Sequence, residues 1–428
     1  MPSFVIKGGQ PLSGSLRPAG NKNAALPIIA ASLLADGPVT LHNVPRIRDV
    51  EAMLELVGST GAEVRWGGGG EVRIDPRGVR RVSLDPALCT RIRASVLLAA
   101  PLVARTGHCV LPPPGGDVIG RRRLDTHLVA FRSLGVQASF DRVLELQTGP
   151  GGLRGAPMFL DEASVTATEN AVTAAVLARG ETVIGNAASE PHVQDLCHFL
   201  VGLGARIDGI GSNLLRVHGV ERLGGGEHTI GADYIEVASF IGLAAITGGE
   251  LVVEDVNPED LLPMAVGFSR LGVHWELDGR RLRVPRDQDL AVQDDLGQAI
   301  PKIDDGPWPA FPADLTSIVV AVATQARGTV LIFEKMYENR LFFVDKLVGM
   351  GARIILCDPH RAVVSGPSRL YGERLESPDI RAGMAMLLAA LAADGESTIG
   401  NVGQIDRGYE RIDERLRALG ARIERIDG

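Results

Sequence analysis

The chain has few cysteines and few aromatic residues, and it has no surplus of basic charge. Only 4 of its 428 residues are cysteine, and aromatic residues make up 4%. The thiols at Cys89, Cys109, Cys197 and Cys357 are far apart, so a dense disulfide scaffold and a zinc-ligand pattern are both excluded. We interpret them as buried thiols of a reducing compartment.

Charge and hydropathy exclude two further classes. Acidic residues outnumber basic ones by 52 to 44, whereas a nucleic-acid-binding protein usually has a basic surplus. The nine histidines form no HxxxH or HxH cluster, so no metal and no other cofactor is expected. The apolar runs fall short of the ~20 residues of a membrane span, and the N-terminus does not resemble a signal peptide. We expect a cytoplasmic protein without membrane insertion; its oligomeric state cannot be read from the sequence.

One pattern of about 70 residues occurs six times. Each copy has an apolar, helix-like run that ends at a glycine, then a β-branched strand, an amphipathic helix and a closing strand such as 61–64, 272–275 or 420–423. Glycine adopts a positive φ readily, so each of these glycines is interpreted as a helix stop. The runs are 24–36, 94–106, 167–179, 237–248, 315–327 and 381–394, followed by Gly37, Gly107, Gly180, Gly249, Gly328 and Gly395.

The apolar runs are hydrophobic on nearly all sides, which is typical of helices inside a core. Their starts carry polar residues: Asn21, Lys22 and Asn23 in the first copy, Arg93 in the second, Asp233 and Glu236 in the fourth, Asp314 in the fifth, and Asp379 and Arg381 in the sixth. Helix starts attract anions, because their N–H groups are free and the helix dipole is positive there. We expect these starts to meet at an interdomain cleft that holds an anionic substrate.

Simpler interpretations remain open for each of these residues. Asp314 is also a good helix cap. Lys22 and Arg93 oppose the helix dipole, and an anion held between them would explain their position.

The segment 111–127 has the composition of a functional lid, with three prolines, three glycines and three consecutive arginines. Arg121, Arg122 and Arg123 can clamp a phosphate or carboxylate, although a solvated basic turn is the alternative. Near the C-terminus, Arg407 lies beside Asp406 and Gly408. This pattern suits the capture of an oxyanion, with a surface salt bridge as the alternative.

Six motifs carry a resemblance to a known family: residues 21–27, 114–121, 310–314, 337–340, 379–381 and 405–411. With them the chain resembles the enolpyruvyl transferases over residues 4–426, in particular the branch that uses UDP-N-acetylglucosamine. The resemblance implies a two-domain inverted (inside-out) α/β barrel with three βαβαββ-type units per domain. One domain is expected at 22–231, with the catalytic loop 111–127, and the other at 1–21 and 232–428.

The resemblance also implies the reaction and its residues. The enolpyruvyl group of phosphoenolpyruvate would pass to the 3-hydroxyl of UDP-N-acetylglucosamine, releasing phosphate in peptidoglycan precursor synthesis. The implied catalytic residues are Asp117 as proton donor, Asp314 as base, Lys22 and Arg407. Phosphoenolpyruvate would be bound by Lys22, Asn23, Arg122, Asp379, Arg381 and Arg407. The UDP-sugar would be bound by Asn23, Arg93, Arg122, Arg123, Leu124, Asp125, Thr126, Glu162, Ser164, Val165, Asp314 and Met336.

The sequence departs from the family pattern at four positions. Asp117 stands where many members have cysteine, Glu162 where they often have lysine, and Trp308 and Gln404 where they have histidine. Two alternatives therefore stay open. One is an enolpyruvyl transferase with another acceptor, shikimate 3-phosphate or a nucleotide; the other is a catalytically silent paralogue that binds a UDP-sugar.

The aspartate at position 117 leads to a first prediction. Epoxides of the fosfomycin type inactivate by alkylating a thiol, and this position has none. We expect no inactivation by such an epoxide and no covalent adduct in a peptide-mass analysis. Labelling of any peptide from residues 111–127 would refute it.

Overall fold

The computed structural model describes residues 2–117 and 119–426; Val118, which belongs to the predicted loop, and the terminal residues 1, 427 and 428 lie outside the described residues. The chain is a mixed α/β protein that separates into two compact units. Unit A comprises residues 20–117 and 122–231, and unit B comprises 2–19, 119–121 and 232–426. The assignment of domains to 22–231 and to 1–21 with 232–428 stays a prediction.

The helices are α1 (Lys22–Ala31), α2 (Arg48–Ser59), α3 (Pro86–Cys89), α4 (Ala99–Thr106), α5 (Asp125–Ser133), α6 (Val165–Ala175), α7 (Pro191–Gly202), α8 (Tyr234–Thr247), α9 (Leu262–Ser269), α10 (Thr316–Ala323), α11 (Val344–Gly349), α12 (Ile380–Ala392) and α13 (Ile412–Ala418). Short 3₁₀ helices span Ser32–Leu34, Pro76–Gly78, Arg93–Leu98, Pro258–Leu261, Ala313–Leu315 and Val402–Arg407.

The strands are β1 (Ser3–Lys7), β2 (Gly14–Leu16), β3 (Val39–His42), β4 (Glu63–Trp66), β5 (Val72–Asp75), β6 (His108–Leu111), β7 (Val136–Phe140), β8 (Leu144–Thr148), β9 (Pro157–Phe159), β10 (Glu181–Gly185), β11 (Arg206–Asp208), β12 (Leu214–His218), β13 (Gly226–Thr229), β14 (Leu251–Val253), β15 (Glu276–Asp278), β16 (Arg281–Val284), β17 (Lys302–Asp304), β18 (Gly328–Phe333), β19 (Arg353–Asp358), β20 (Arg361–Gly366), β21 (Arg374–Glu376), β22 (Glu396–Gly400) and β23 (Arg422–Ile426).

All six apolar runs form buried helices, which confirms that prediction. In unit B, α8, α10 and α12 pack against one another, and in unit A, α1, α4 and α6 do the same. Asn21, Asp233 and Asp379 cap α1, α8 and α12, since their side chains accept hydrogen bonds from backbone N–H groups of the first turn. The starts of these helices are thus fixed by their own sequence.

Each unit has three sheets that repeat one pattern. In β13-β3-β5-β4, β9-β10-β12-β11, β2-β14-β16-β15, β17-β18-β20-β19 and β21-β22-β1-β23, one outer pair is parallel and the other two pairs are antiparallel. In β6-β8-β7 a single bridge from Ser83 to Val110 supplies the parallel neighbour. The repeat seen in the sequence is therefore a repeat of whole sheets.

The last sheet is completed by the start of the chain. Strand β1 lies between β22 and β23 and is antiparallel to both. Its register places Phe4 opposite Ile399 on one side and Arg425 on the other. Its side chains alternate, with Phe4 and Ile6 fully buried, so that one face of the sheet packs on the core.

Two details of the repeat prediction are wrong. Gly107 ends its helix with a positive φ, as predicted. Gly180, Gly328 and Gly395 also have a positive φ, but their helices end earlier, with C-caps at Val176, Thr324 and Ala393, and neither Gly37 nor Gly249 has a positive φ. The first run leaves its helix through a 3₁₀ turn, and in the fourth Gly248 takes the left-handed position. Gly249 instead allows close packing, because a Cβ atom there would lie 1.7 Å from the carbonyl oxygen of Leu12. The closing strand predicted at 272–275 lies at 276–278.

Each unit has its own hydrophobic core, built around its buried helices. Along α12, every residue from Ile380 to Leu391 is buried. No helix in the described part of the chain combines the length and the apolar character needed to cross a membrane.

The burial of α12 gives a stability prediction. We expect Leu388→Ala, in a fully buried side chain, to lower the free energy of unfolding by about 2–5 kcal/mol, because it removes apolar contacts and leaves a cavity. The matched control Leu262→Ala, at a leucine that is 65% exposed on α9, should change it by less than about 0.5 kcal/mol. Urea denaturation followed by circular dichroism measures both. Equal effects of the two variants would contradict the core assignment.

Candidate active site

Lys22, the first residue of α1, is paired with a carboxylate of α2. Its Nζ lies 2.7 Å from Oδ2 of Asp49, and the side chains are 10% and 6% exposed. A protein carboxylate therefore already balances this cation at a helix start, so an anionic ligand is not needed to explain its position. Asp49 was missed in the sequence. The feature that could have indicated its role is that an acidic residue occupies a buried position in the first turn of α2.

Arg93 holds the backbone of the loop that carries the three arginines. Its Nη2 donates to the carbonyl oxygens of Arg122, at 2.7 Å, and Arg123, at 3.2 Å. Gly116 packs against the same side chain: a Cβ atom there would lie 2.8 Å from Cβ of Arg93 and 3.4 Å from Nη1 of Arg122. Unit A thus brings Arg93, Arg122 and the residue before Asp117 together.

Two predicted ligands of the UDP-sugar contact acidic side chains of unit A. Nε of Arg123 donates to Oδ2 of Asp125 at 2.9 Å, and this hydrogen bond raises the pKa of Arg123. Oγ1 of Thr126 donates to Oδ1 of Asp161 at 2.6 Å. These contacts fix the direction in which the chain enters α5.

Other predicted sugar ligands lie at the starts of α5 and α6. Glu162 is exposed, Leu124 is half-buried, and Val165 is the first residue of the helix. The hydroxyl of Ser164 caps α6 by accepting from the backbone N–H of Ala167 at 3.5 Å.

A buried histidine connects α5 to α6. Nδ1 of His127 accepts from the amide of Asn170 at 2.9 Å, and Nε2 lies 3.2 Å from Oγ1 of Thr166. Burial, together with the charge of Arg93, lowers the pKa of His127 to about 3. The imidazole is therefore neutral at physiological pH, and its Nε2–H donates to the threonine hydroxyl. His127 supports the loop end structurally.

In unit B, Asp314 lies between two buried guanidinium groups. Its Oδ1 accepts from Nη2 of Arg340 at 2.9 Å, and its Oδ2 accepts from Nε and Nη2 of Arg381 at 3.2 and 2.9 Å. The arginine side chains are 3% and 6% exposed and that of Asp314 is 29% exposed. Asp314 is thus not the N-cap of α10, which is Leu315; it is an oriented carboxylate that solvent can reach.

Arg381 is held on its other side by an aromatic hydroxyl. Its Nη1 donates to the hydroxyl oxygen of Tyr409 at 3.1 Å, and that oxygen lies 3.1 Å from Oγ of Ser239. Burial alone would lower the pKa of Arg381, but the charge of Asp314 together with the contributions of Tyr409 and Asp233 outweighs burial and raises the pKa. Asp379 fixes the backbone there, accepting from the N–H of Arg381 at 2.8 Å.

A second carboxyl lies behind Arg340. Oε2 of the fully buried Glu334 is 3.8 Å from Nε of Arg340. Burial, reinforced by the neighbouring Asp305, raises the pKa of Glu334 against the opposing charge of Arg340. The hydrogen bond of Arg340 goes to Asp314. Arg340 and Glu334 were not assigned a role from the sequence.

Arg407 ends the 3₁₀ helix Val402–Arg407 and is fixed from within it. Its Nη1 donates to Oε1 of Gln404 at 2.9 Å. This hydrogen bond gives a structural role to Gln404, which stands where the family pattern has histidine. Asp406, the neighbour expected to assist oxyanion capture, pairs with Arg425 through two hydrogen bonds. Met336, the remaining predicted sugar ligand, is 38% exposed in unit B.

Each unit thus gathers part of the predicted set. Unit A has the cations Lys22 and Arg93 held by protein groups, and unit B has the carboxylate of Asp314 held in one orientation. Among residues 2–117 and 119–426, no group of three or more His, Cys, Asp or Glu side chains is arranged to hold a metal ion.

The sequence matches proteins of one kind along its whole length. A family model described as EPSP synthase (3-phosphoshikimate 1-carboxyvinyltransferase) matches residues 6–416. The UDP-N-acetylglucosamine 1-carboxyvinyltransferase of Bradyrhizobium diazoefficiens is 57% identical, with 99% of this chain and 98% of that protein covered. The protein of the same name from Treponema denticola is 55% identical, with 99% of each covered.

Solved structures agree on the fold. The enolpyruvyl transferase NikO from Streptomyces tendae superposes with a TM-score of 0.88 at 24% identity, with 100% of this chain and 99% of that chain covered. The EPSP synthase from Acinetobacter baumannii gives a TM-score of 0.75 at 18% identity, with both chains fully covered. At these identities the likeness concerns the fold alone.

The cysteines differ in environment, and one expectation about them is wrong. Burial raises the pKa of Cys89 to about 11 and that of Cys109 and Cys197 to about 12. Cys357 is exposed, because it lies on β19, the edge strand of its sheet.

Thiol reactivity should follow this difference, because the thiolate is the nucleophile and it must be accessible. We expect iodoacetamide at pH 8 to alkylate the native protein once, at Cys357, and to leave enzymatic activity unchanged. Intact-mass and peptide-mass analysis give the count and the position, and Cys357→Ser is the control that should stay unmodified. Rapid labelling of Cys89, Cys109 or Cys197 would contradict the structure.

Proposed function

Because the chain belongs to the EPSP synthase family, and within it to the UDP-N-acetylglucosamine 1-carboxyvinyltransferases, we propose that it transfers the enolpyruvyl group of phosphoenolpyruvate to the 3-hydroxyl of UDP-N-acetylglucosamine. Phosphate is the second product, and the reaction supplies peptidoglycan precursor synthesis. The likeness to relatives of that name along the whole chain is the observation that carries the proposal. The three polar clusters at Lys22, Arg93 and Asp314 give it a chemical basis.

We also propose a finer architecture for the two units. Each unit is an inside-out α/β barrel, with three buried helices inside and three sheets outside. Three mutually packed helices and three sheets of one pattern in each unit support it. The location is cytoplasmic, as the sequence predicts.

The reaction begins with a proton transfer to carbon. Asp117 protonates the methylene carbon of phosphoenolpyruvate, which makes the adjacent C2 electrophilic. The sugar 3-hydroxyl then adds to C2 and gives a tetrahedral intermediate that still carries phosphate. Loss of a proton from the new methyl group restores the double bond and expels phosphate. All three carbon atoms of the enolpyruvyl group are retained in the product, and the proton lost from the methyl group balances the proton that was added.

Asp314 accepts the proton of the sugar hydroxyl. A general base must be oriented toward the proton it removes, and the hydrogen bonds from Arg340 and Arg381 provide that orientation. Asp379 fixes the start of α12 and so the backbone of Arg381.

Cations offset the charge of the reactants. Phosphoenolpyruvate is bound through its phosphate and carboxylate by Lys22, Asn23, Arg122, Arg381 and Arg407. Groups fixed before the reaction stabilise developing charge without reorganising. The contacts of Lys22 with Asp49 and of Arg407 with Gln404 support such a fixed arrangement. Arg93, residues 122–126, Glu162, Ser164, Val165 and Met336 contact the UDP-sugar.

Phosphate release from phosphoenolpyruvate tests the proposal. We expect release with UDP-N-acetylglucosamine and none above background with shikimate 3-phosphate or UMP. Asp117→Asn should remove turnover, because an amide cannot donate the proton, while UDP-N-acetylglucosamine binding, measured by calorimetry, stays within about twofold.

The matched control is Asp141→Asn, at an exposed turn of the same unit, which should leave turnover unchanged. Faster phosphate release with shikimate 3-phosphate or UMP would make that compound the acceptor in place of UDP-N-acetylglucosamine. Binding of the UDP-sugar without turnover by any acceptor would instead identify a silent paralogue. Undiminished turnover in Asp117→Asn would remove Asp117 from the mechanism.

A further inference from the structure

We propose that Arg425, on the last strand of the chain, is a positioning residue that fixes Arg407 for phosphoenolpyruvate binding. It acts by holding Asp406 and Asp413, which lie on either side of Arg407 in the chain. The inference rests on the proposed function, because it assigns a consequence to the role of Arg407 in that reaction.

The contact with Asp406 is bidentate. Nη1 of Arg425 donates to Oδ2 of Asp406 at 2.9 Å, and Nη2 donates to Oδ1 at 2.8 Å. This fork pairing fixes the orientation of a carboxylate as well as its distance. Since Asp406 directly precedes Arg407, it fixes the backbone at the end of the 3₁₀ helix from which the Arg407 side chain extends.

The same guanidinium also binds the start of the next helix. Nη2 and Nε of Arg425 donate to Oδ1 of Asp413, the second residue of α13, at 2.9 and 3.3 Å. Burial alone would raise the pKa of Asp413, but hydrogen bonds led by that of Arg425 lower it, so the carboxylate is charged. One cation therefore spans residues 406–413, the segment that begins just before Arg407.

Arg425 itself is held rigidly. Its guanidinium lies over the ring of Phe4, 4.8 Å from the ring centroid, and Phe4 is its register partner in the β1–β23 ladder. Phe4 is fully buried. The strands β1 and β23 thus hold the guanidinium of Arg425 in place. Its hydrogen bonds to Asp406 and Asp413 in turn hold residues 406–413.

Arg417 offers a matched control within the same cluster. It donates to the other oxygen of Asp413, on the same helix, from a half-exposed position. Removing it takes away an arginine–Asp413 ion pair but leaves the fork on Asp406. A role in general stability would make Arg417 and Arg425 similar, whereas a role in positioning Arg407 separates them.

Steady-state kinetics of Arg425→Met and Arg417→Met, with both substrates varied, gives the first test. We expect Arg425→Met to raise KM for phosphoenolpyruvate by about ten- to a hundredfold, as a small misplacement of a substrate-binding group does. KM for UDP-N-acetylglucosamine should stay within about twofold, and Arg417→Met should change neither constant by more than that. Arg425→Lys, which keeps the charge without the fork, should lie in between.

Hydrogen–deuterium exchange of residues 402–413 gives a second readout that needs no turnover. Arg425→Met and the near-isosteric Asp406→Asn should both lose protection there, and Arg417→Met should keep it at residues 402–407. Equal effects of the two arginine variants on KM, or unchanged exchange in Arg425→Met, would overturn the inference. If the wild-type protein shows no turnover but the exchange pattern holds, the proposed function fails and the positioning of this segment stands.

Discussion

The carboxylate of Asp314 between two buried guanidinium groups is the constraint on which unit B depends. Burying charge is costly unless each charge is paired and hydrogen-bonded. Arg381 meets this requirement through Asp314 and Tyr409, and Arg340 meets it through Asp314 beside Glu334. The pairs tie together the starts of α10 and α12 and the segment after β18. A carboxylate in this position keeps one orientation, which a general base needs before substrate arrives.

In unit A the charges at the helix starts are cations, and protein groups pair with them as well. Lys22 and Arg93 stand at helix starts, where the dipole disfavours a cation. Asp49 balances the lysine, and two loop carbonyls accept from Arg93. Both units therefore place unusual charges at the ends of apolar, buried helices and pair them with protein groups. This explains how a core of apolar helices can carry strongly polar chemistry at its edge.

The fold was largely predictable and the polar partners were not. Helices that are apolar on all sides leave a signal that a single sequence shows, and the six repeats reinforce it. Periodicity indicates which face of an element is buried, but it does not say which polar groups meet across the fold. The contacts of Asp49, Glu334 and Arg425 were therefore not predictable from the sequence. The displaced strand at 276–278 and the exposed Cys357 were missed for a related reason, since edge position and strand ends depend on neighbouring strands.

In the proposed reaction a proton is added to the methylene carbon of phosphoenolpyruvate before the ether forms. Running the reaction with UDP-N-acetylglucosamine in D₂O and recording the proton NMR spectrum of the product tests this directly. We expect a 3-O-enolpyruvyl ether whose vinyl signals integrate to fewer than two protons, because a transient methyl group has taken up solvent deuterium. An ether with both vinyl protons fully retained, or no ether at all, would contradict it.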